Sequence, residues 1–436
     1  MKAVLIRFVE RAHILFFDRP MSDQMRTFLS DLSWSFYSSM VALPSFMVIG
    51  TLAARFMGPA VFGKYNLIVI ISSYVTVVAF SGLDISAVKA IVKSRNEHQK
   101  RESFFSAFVY VVSVLVFFSI LAVVLRPFLE ARYGLSSALI WFTILYTLVI
   151  SVRALFDILI RALEMFKFQV IGKVAEVLTL ATGFLLVVLI TRGLSYQAYI
   201  LLTVGSMTVA SAYYCYFLRG YFNGFSLAVL KKQLTEGKFF MISALLATIF
   251  ASSDRLIIAR YVDITTVGIY SAYYLASLGI VGALSGLFTN VFLPATAKLT
   301  DKTFTKKLDH FLVKGFIPLF VIICVLIMVF LAIFGKAYPF RWDYVVMFAL
   351  AATLTFFQNL QNTVILDTTM KRYAYYAYVN NFINLLTVVY YLILVRYVIS
   401  VDLILLGYLV NMLATMLVQR KLIGEMRDTT KTEGGV

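Results

Sequence analysis

Runs of about twenty apolar residues recur along nearly the whole chain, and no other feature narrows its fold so sharply. A helix rises about 1.5 Å per residue, so such a run crosses the roughly 30 Å hydrocarbon layer of a bilayer. Lipid offers the backbone no hydrogen-bond partners, which leaves helices or closed barrels, and these runs are about twice the length of a barrel strand. About twelve spans are expected, at roughly 33–54, 65–85, 104–125, 138–160, 174–191 and 198–218, then 239–260, 268–292, 313–334, 345–366, 374–395 and 402–419. The fold class is therefore all-α and polytopic. Charged residues are 14% of the chain and hydrophobic ones 61%, where a soluble domain keeps about a quarter charged.

The string Ala-Arg-(Phe/Tyr)-x5-(Phe/Val)-Gly-x-Tyr occurs twice, from Ala54 to Tyr65 and from Ala259 to Tyr270, a spacing of 205 residues. The matched Arg55/Arg260, Gly63/Gly268 and Tyr65/Tyr270 are not residues that hydrophobicity alone demands. Each copy closes an apolar run, and six spans separate them. An even offset makes the halves parallel repeats about an axis along the membrane normal. The expected organisation is an N-terminal cytoplasmic tail over 1–32, a six-helix lobe over 33–218, a cytoplasmic connection over 219–238, a second six-helix lobe over 239–420, and a tail over 421–436. Ala3 to Phe17 reads as an amphipathic helix on the membrane surface, and charges from Arg7 to Arg19 exclude a signal-peptide core.

Lys and Arg accumulate on cytoplasmic loops. With the N-terminus inside, the inner segments carry a roughly three-to-one excess of them, so both termini are expected in the cytoplasm. The net charge of +17 is thus orientation rather than a nucleic-acid surface. The outer loops reach only about ten residues, too short for a folded domain, which places function among the helices. Cys215 and Cys324 lie in separate runs, and His13, His98 and His310 are scattered, so neither a disulfide framework nor a metal site is expected. No G-x-x-x-x-G-K-[ST] string occurs, and no cofactor is expected.

Ionisable residues within spans are functional candidates because lipid penalises them. Arg153 and Asp157 stand one turn apart on span four, either as a structural ion pair or as a cavity lining. Asp254 and Arg255 are adjacent on span seven, about 100° apart around the helix, so one faces a cavity while the other packs. Asp84 closes span two as an interfacial carboxylate or a coupling group. Gln358, Gln361 and Asn362 share a face of span ten, and Asn380 and Asn384 a face of span eleven, fitting interhelical hydrogen bonding or a wet lumen equally. Pro44 marks a possible bend in span one. Tyr373, Tyr375, Tyr376 and Tyr378 read as an interfacial belt.

Three passages together resemble the polysaccharide-transporter branch of the multidrug/oligosaccharidyl-lipid/polysaccharide (MOP) exporters, the Wzx-type flippases. They are Ala54–Tyr65, the Asp-Arg-Leu-Ile-Ile-Ala-Arg of 254–260 with Val-Gly-Ile-Tyr at 267–270, and Pro294 before a basic cytoplasmic loop. The resemblance implies two six-helix bundles of MATE-like fold around a cavity that opens alternately to either side. It implies export of a polyprenyl-pyrophosphate-linked oligosaccharide, with membrane lipids and a glycan polymerase or other assembly proteins as partners. It also implies a cationic cavity, for which Arg153 and Arg255 are the intramembrane candidates and Arg55 and Arg260 the outer rim. Asp157, Asp254 and Asp84 are the candidates for coupling an ion. Two alternatives stand beside it: a drug–cation antiporter of the same superfamily, and a membrane-embedded enzyme acting on polyprenyl-linked glycans.

Overall fold

The computed structural model describes residues 23–433 except 95, 134–135, 283, 286–301, 367–369 and 398–399, and side chains for Ala42 and, within those residues, from Pro44 to Ile423 apart from 133, 302–313 and 363–374. The surface helix expected over Ala3–Phe17, Pro294 with the start of its basic loop, and the Tyr373 side chain lie outside the described residues. Every regular element among the described residues is helical.

Helix α1 covers Asp23–Phe80 and breaks only at Gly58, with φ 71° and ψ 167°. Glycine takes that conformation without a Cβ clash, and Pro59, lacking an N–H, suits the first turn of the segment that follows. A one-residue break thus replaces the open loop expected over 55–64. Pro44 also stands inside α1, where Gly58 alone has non-helical φ and ψ. The chain next passes through a turn at Ser81 and Gly82, both at positive φ, into α2 (Leu83–Lys93). There follow α3 (Glu97–Val124), α4 (Arg126–Tyr133), α5 (Ser137–Ala162), α6 (Phe166–Thr191) and α7 (Tyr196–Leu218).

Helix α8 (Leu227–Tyr261) is 35 residues long and capped by Ser226, whose side chain accepts from the Val229 N–H. It absorbs much of the connection expected over 219–238, leaving a 3-10 turn at Arg219–Tyr221 and a few irregular residues. After a break at Val262–Asp263, α9 covers Ile264–Tyr274 and passes into a π turn at Leu275–Gly279. Asp263 caps α9: its carboxylate accepts from the Thr266 N–H at 2.8 Å and the Thr266 hydroxyl at 2.5 Å, which holds its pKa below the usual value. The remaining helices are α10 (Lys302–Phe334), α11 (Trp342–Leu366), α12 (Met370–Tyr397) and α13 (Val401–Glu433).

Eleven helices among the described residues are long and apolar enough to cross a membrane. The first of them, Pro44–Phe80, contains the Gly58 break, and the sequence reading counts it as two. Large apolar side chains such as Phe117, Leu189 and Ile190 stay exposed on these helices, as lipid-facing positions do.

Packing divides the chain into two compact units, Pro44–Gly268 and Ile269–Val436 with the residues up to Leu43. The first unit has a core of Phe104, Leu115, Phe156, Leu159 and Tyr214, and a second around Ile68, Tyr146 and Ile200, against which Tyr65 packs. In the other unit, Tyr270 and Tyr273 pack on Phe348 of α11. The tyrosine that ends each copy of the repeated string therefore anchors in a different unit.

Candidate functional site

A cavity of about 380 Å³ lies between the second half of α1 and α8, lined by Val69, Ile70, Ser73, Ala247, Thr248, Ala251, Ser252 and Arg255. Its walls combine small apolar groups with three hydroxyls and one guanidinium. Arg255 keeps 12% of its side chain exposed, while Asp254 is 99% covered, with 1% exposed. Asp254 accepts from the Arg255 backbone N–H at 2.7 Å and stands 3.5 Å from its Nε. Arg255 Nη2 donates to the Ala251 carbonyl one turn earlier at 2.5 Å. The helical offset between adjacent residues thus puts the acid in the packed interior and the guanidinium on the cavity wall.

Arg153 has a different setting. Its Nε and Nη2 both reach Glu176 Oε2 of α6, at 2.8 and 2.6 Å, and its Nη1 is 3.5 Å from Asp157 Oδ2. Asp157 also takes a hydrogen bond from Gln169 Nε2 at 2.8 Å and lies 3.7 Å from Lys173 Nζ. Gln169, Lys173 and Glu176 recur at helical spacing and so present one face to α5. Tyr214 of α7 completes the set, donating to the Gln169 carbonyl at 3.0 Å, with Gly172 leaving room for its ring. Two guanidinium or ammonium groups balance two carboxylates. Sequence reasoning found Arg153 and Asp157 but missed Glu176, their principal partner.

The polar residues of the second unit form a ladder between α12 and α13. Gln419 Nε2 donates to Tyr376 at 2.7 Å, the Thr415 hydroxyl to Asn380 at 3.2 Å, and Asn411 Nδ2 to Asn384 at 3.1 Å and Thr387 at 2.8 Å. Of the two readings open for Asn380 and Asn384, these bonds are the interhelical one. Gln361 is almost fully buried on α11, Asn362 partly so, and Gln358 is half-buried. Arg55 and Arg260 are exposed near the ends of their helical segments, and Asp84 is half-buried in the first turn of α2.

The repeated strings meet within the first unit. A methyl on Gly63 would overlap the Ile264 carbonyl, and one on Gly268 would overlap the Pro59 carbonyl. Pro59 and Ile264 are themselves equivalent in the 205-residue register. The contact is reciprocal, as a two-fold axis between the copies requires.

A family model described as polysaccharide biosynthesis protein matches residues 28–300. No curated protein matches in sequence. Among solved structures, the inward-facing conformation of a multidrug resistance MATE family transporter of the MOP superfamily is 16% identical, with a TM-score of 0.68, over 89% of this chain and 96% of that one. An outward-facing conformation of such a transporter is 14% identical, with a TM-score of 0.55, over 91% and 96%. A MOP superfamily transporter from Pyrococcus furiosus, described as having a binding pocket of reverse polarity, is 12% identical, with a TM-score of 0.53, over 97% and 98%. The fold is that of these transporters, an all-α multi-pass membrane architecture.

Proposed function

The chain belongs to the polysaccharide biosynthesis protein family, and from that premise we propose that it is a flippase. It carries a polyprenyl-pyrophosphate-linked oligosaccharide from the cytoplasmic to the outer leaflet of a bacterial inner membrane by alternating access between two lobes. Both termini face the cytoplasm, and a glycan polymerase or related assembly protein receives the product. The observation that carries this reading is the Arg255 cavity, a cation and three hydroxyls among apolar side chains within the helices.

A pyrophosphate and its sugars lose hydration in hydrocarbon without replacement. Arg255 supplies charge-assisted hydrogen bonds to phosphoryl oxygens, the Ser73, Thr248 and Ser252 hydroxyl oxygens, whose own protons are donated within the protein, accept from sugar hydroxyls, and the prenyl tail stays in lipid. Arg153 is committed to Glu176 and Asp157 and serves the first lobe's internal packing. Moving a headgroup of about −2 outward against a negative cytoplasm releases roughly 4–5 kcal/mol per 100 mV, so the membrane potential favours export.

The test is reconstitution into proteoliposomes with a fluorescent polyprenyl-pyrophosphate oligosaccharide, its outward movement read by quenching from outside. Protein-dependent movement supports the proposal. Absence of movement together with counter-ion-driven export of organic cations would replace it with the antiporter reading.

A further inference from the structure

The repeat assigns α8, the seventh span, to the second half of the chain, yet α8 packs as part of the first unit. It is tied there at three levels. Near the outer end, Gly63 and Gly268 bring the two repeated corners into reciprocal backbone contact. Between the two ends the Ser252 hydroxyl donates to Tyr74 at 2.8 Å, beside the Arg255 cavity. At the inner end a methyl on Gly82 would overlap the Gly237 carbonyl, and one on Gly237 would come within 2.9 Å of the Ser81 carbonyl. Lys89 Nζ lies 4.8 Å from the centre of the Phe240 ring, and Gln233 Nε2 donates to the Ser103 carbonyl at 3.3 Å. Ser106 bonds both the N–H and the carbonyl of Ser226, the α8 cap, at 3.0 and 3.2 Å.

In an inward- or outward-open state, a seam that served as a gate would be tight at one end and open at the other. This one is backbone-tight at both. We propose that the seam between residues 59–93 and α8 is a permanent axle: it stays closed at both ends throughout transport and carries the Arg255 cavity intact. Span seven then moves with the first lobe, and the seam itself takes no part in the rearrangement that alternates access. Glycines at 63, 82, 237 and 268 are its positioning residues, since only a missing Cβ allows backbones so close. The proposal rests on the flippase reading for its transport readout alone.

The test uses the full chain with Cys215→Ser and Cys324→Ser. One variant adds Ala60→Cys and Ile264→Cys at the outer end, another Lys89→Cys and Phe240→Cys at the inner end. Each pair is bridged in proteoliposomes by a short bifunctional maleimide, with single-cysteine variants as controls. The axle predicts that either bridge leaves the rate of lipid export within about twofold of the unbridged protein, because rigid-body motion elsewhere is untouched. A loss of about tenfold or more from either bridge, absent in the controls, overturns it. If the unbridged protein moves no lipid-linked oligosaccharide, the flippase reading fails separately. The axle is then read from spin labels at the same two pairs, with and without an imposed membrane potential. One unchanged distance population at both ends supports it, and a second population at either end overturns it.

Discussion

Replacing Glu176 with alanine removes the carboxylate oxygen to which Arg153 gives two N–H groups, and leaves the guanidinium in place. Arg153 has 12% of its side chain exposed and Glu176 has 4%, so water cannot take over the lost partner. Removing one member of a buried ion pair costs about 3–5 kcal/mol, because the survivor remains buried and uncompensated. Asp157, at 3.5 Å, stays behind and takes up part of that charge. The expected loss is therefore about 2–4 kcal/mol, shifted below that range by the remaining carboxylate. Replacing both partners, Arg153→Met with Glu176→Leu, removes both desolvation costs and is expected to recover most of the stability. The assay is denaturant unfolding of the purified protein in detergent, followed by tryptophan fluorescence and completed as a double-mutant cycle. A Glu176→Ala protein as stable as the parent, or a coupling below about 0.5 kcal/mol, would refute the reasoning.

Three other outcomes are expected. Gly63→Ala and Gly268→Ala each lower stability, by about 1–3 kcal/mol as overpacked sites do, and their combination costs less than the sum because both part the same two corners; additive losses would speak against the reciprocal contact. Asn411→Ala removes the bonds to Asn384 and Thr387 and lowers stability by about 0.6–1.7 kcal/mol, as other hydrogen bonds between membrane helices do, which the same unfolding assay measures. Asp263→Ala lowers it by about 1 kcal/mol through loss of the α9 cap. The Asp263 pKa is depressed in the folded protein, so its stabilisation is full above the unfolded value near 4 and is lost as pH falls through the lower folded value. Unfolding at pH 7 and in acid, with and without Asp263→Ala, checks the sign: the difference between the two proteins shrinks only in acid.

The helical architecture was legible because lipid forces apolar runs into helices, and the repeated string was legible because its Arg, Gly and Tyr are not explained by hydropathy. What the Gly does was not. Its function is a close approach between segments 205 residues apart, and nothing local to either copy encodes that meeting. Glu176 escaped notice for a boundary reason: span five was drawn from 174, which left the acid beside Lys173 at an apparent membrane edge. The helix in fact starts at Phe166, so Glu176 stands well inside it, and its spacing from Gln169 and Lys173 was the available signal. Asn380 and Asn384 were found, but their partners Asn411, Thr415 and Gln419 were passed over, although they too recur every four residues. Pairing between two polar faces is a tertiary fact that either helix alone leaves open. The helical start of α8 within the expected connection was hidden by Lys231, Lys232 and Lys238, which read as a basic loop but sit on the exposed or half-buried turns of a helix.

The central claim is that Arg255 receives the anionic headgroup. The most direct measurement compares outward movement of the pyrophosphate-linked oligosaccharide in proteoliposomes by the parent, Arg255→Ala and Arg255→Lys proteins, each checked for correct folding. Hydrogen bonds to a charged group contribute about 1.5–3 kcal/mol, so the alanine variant should lose about tenfold to a hundredfold in transport, with partial recovery in the lysine variant. Transport by Arg255→Ala equal to that of the parent would contradict the account.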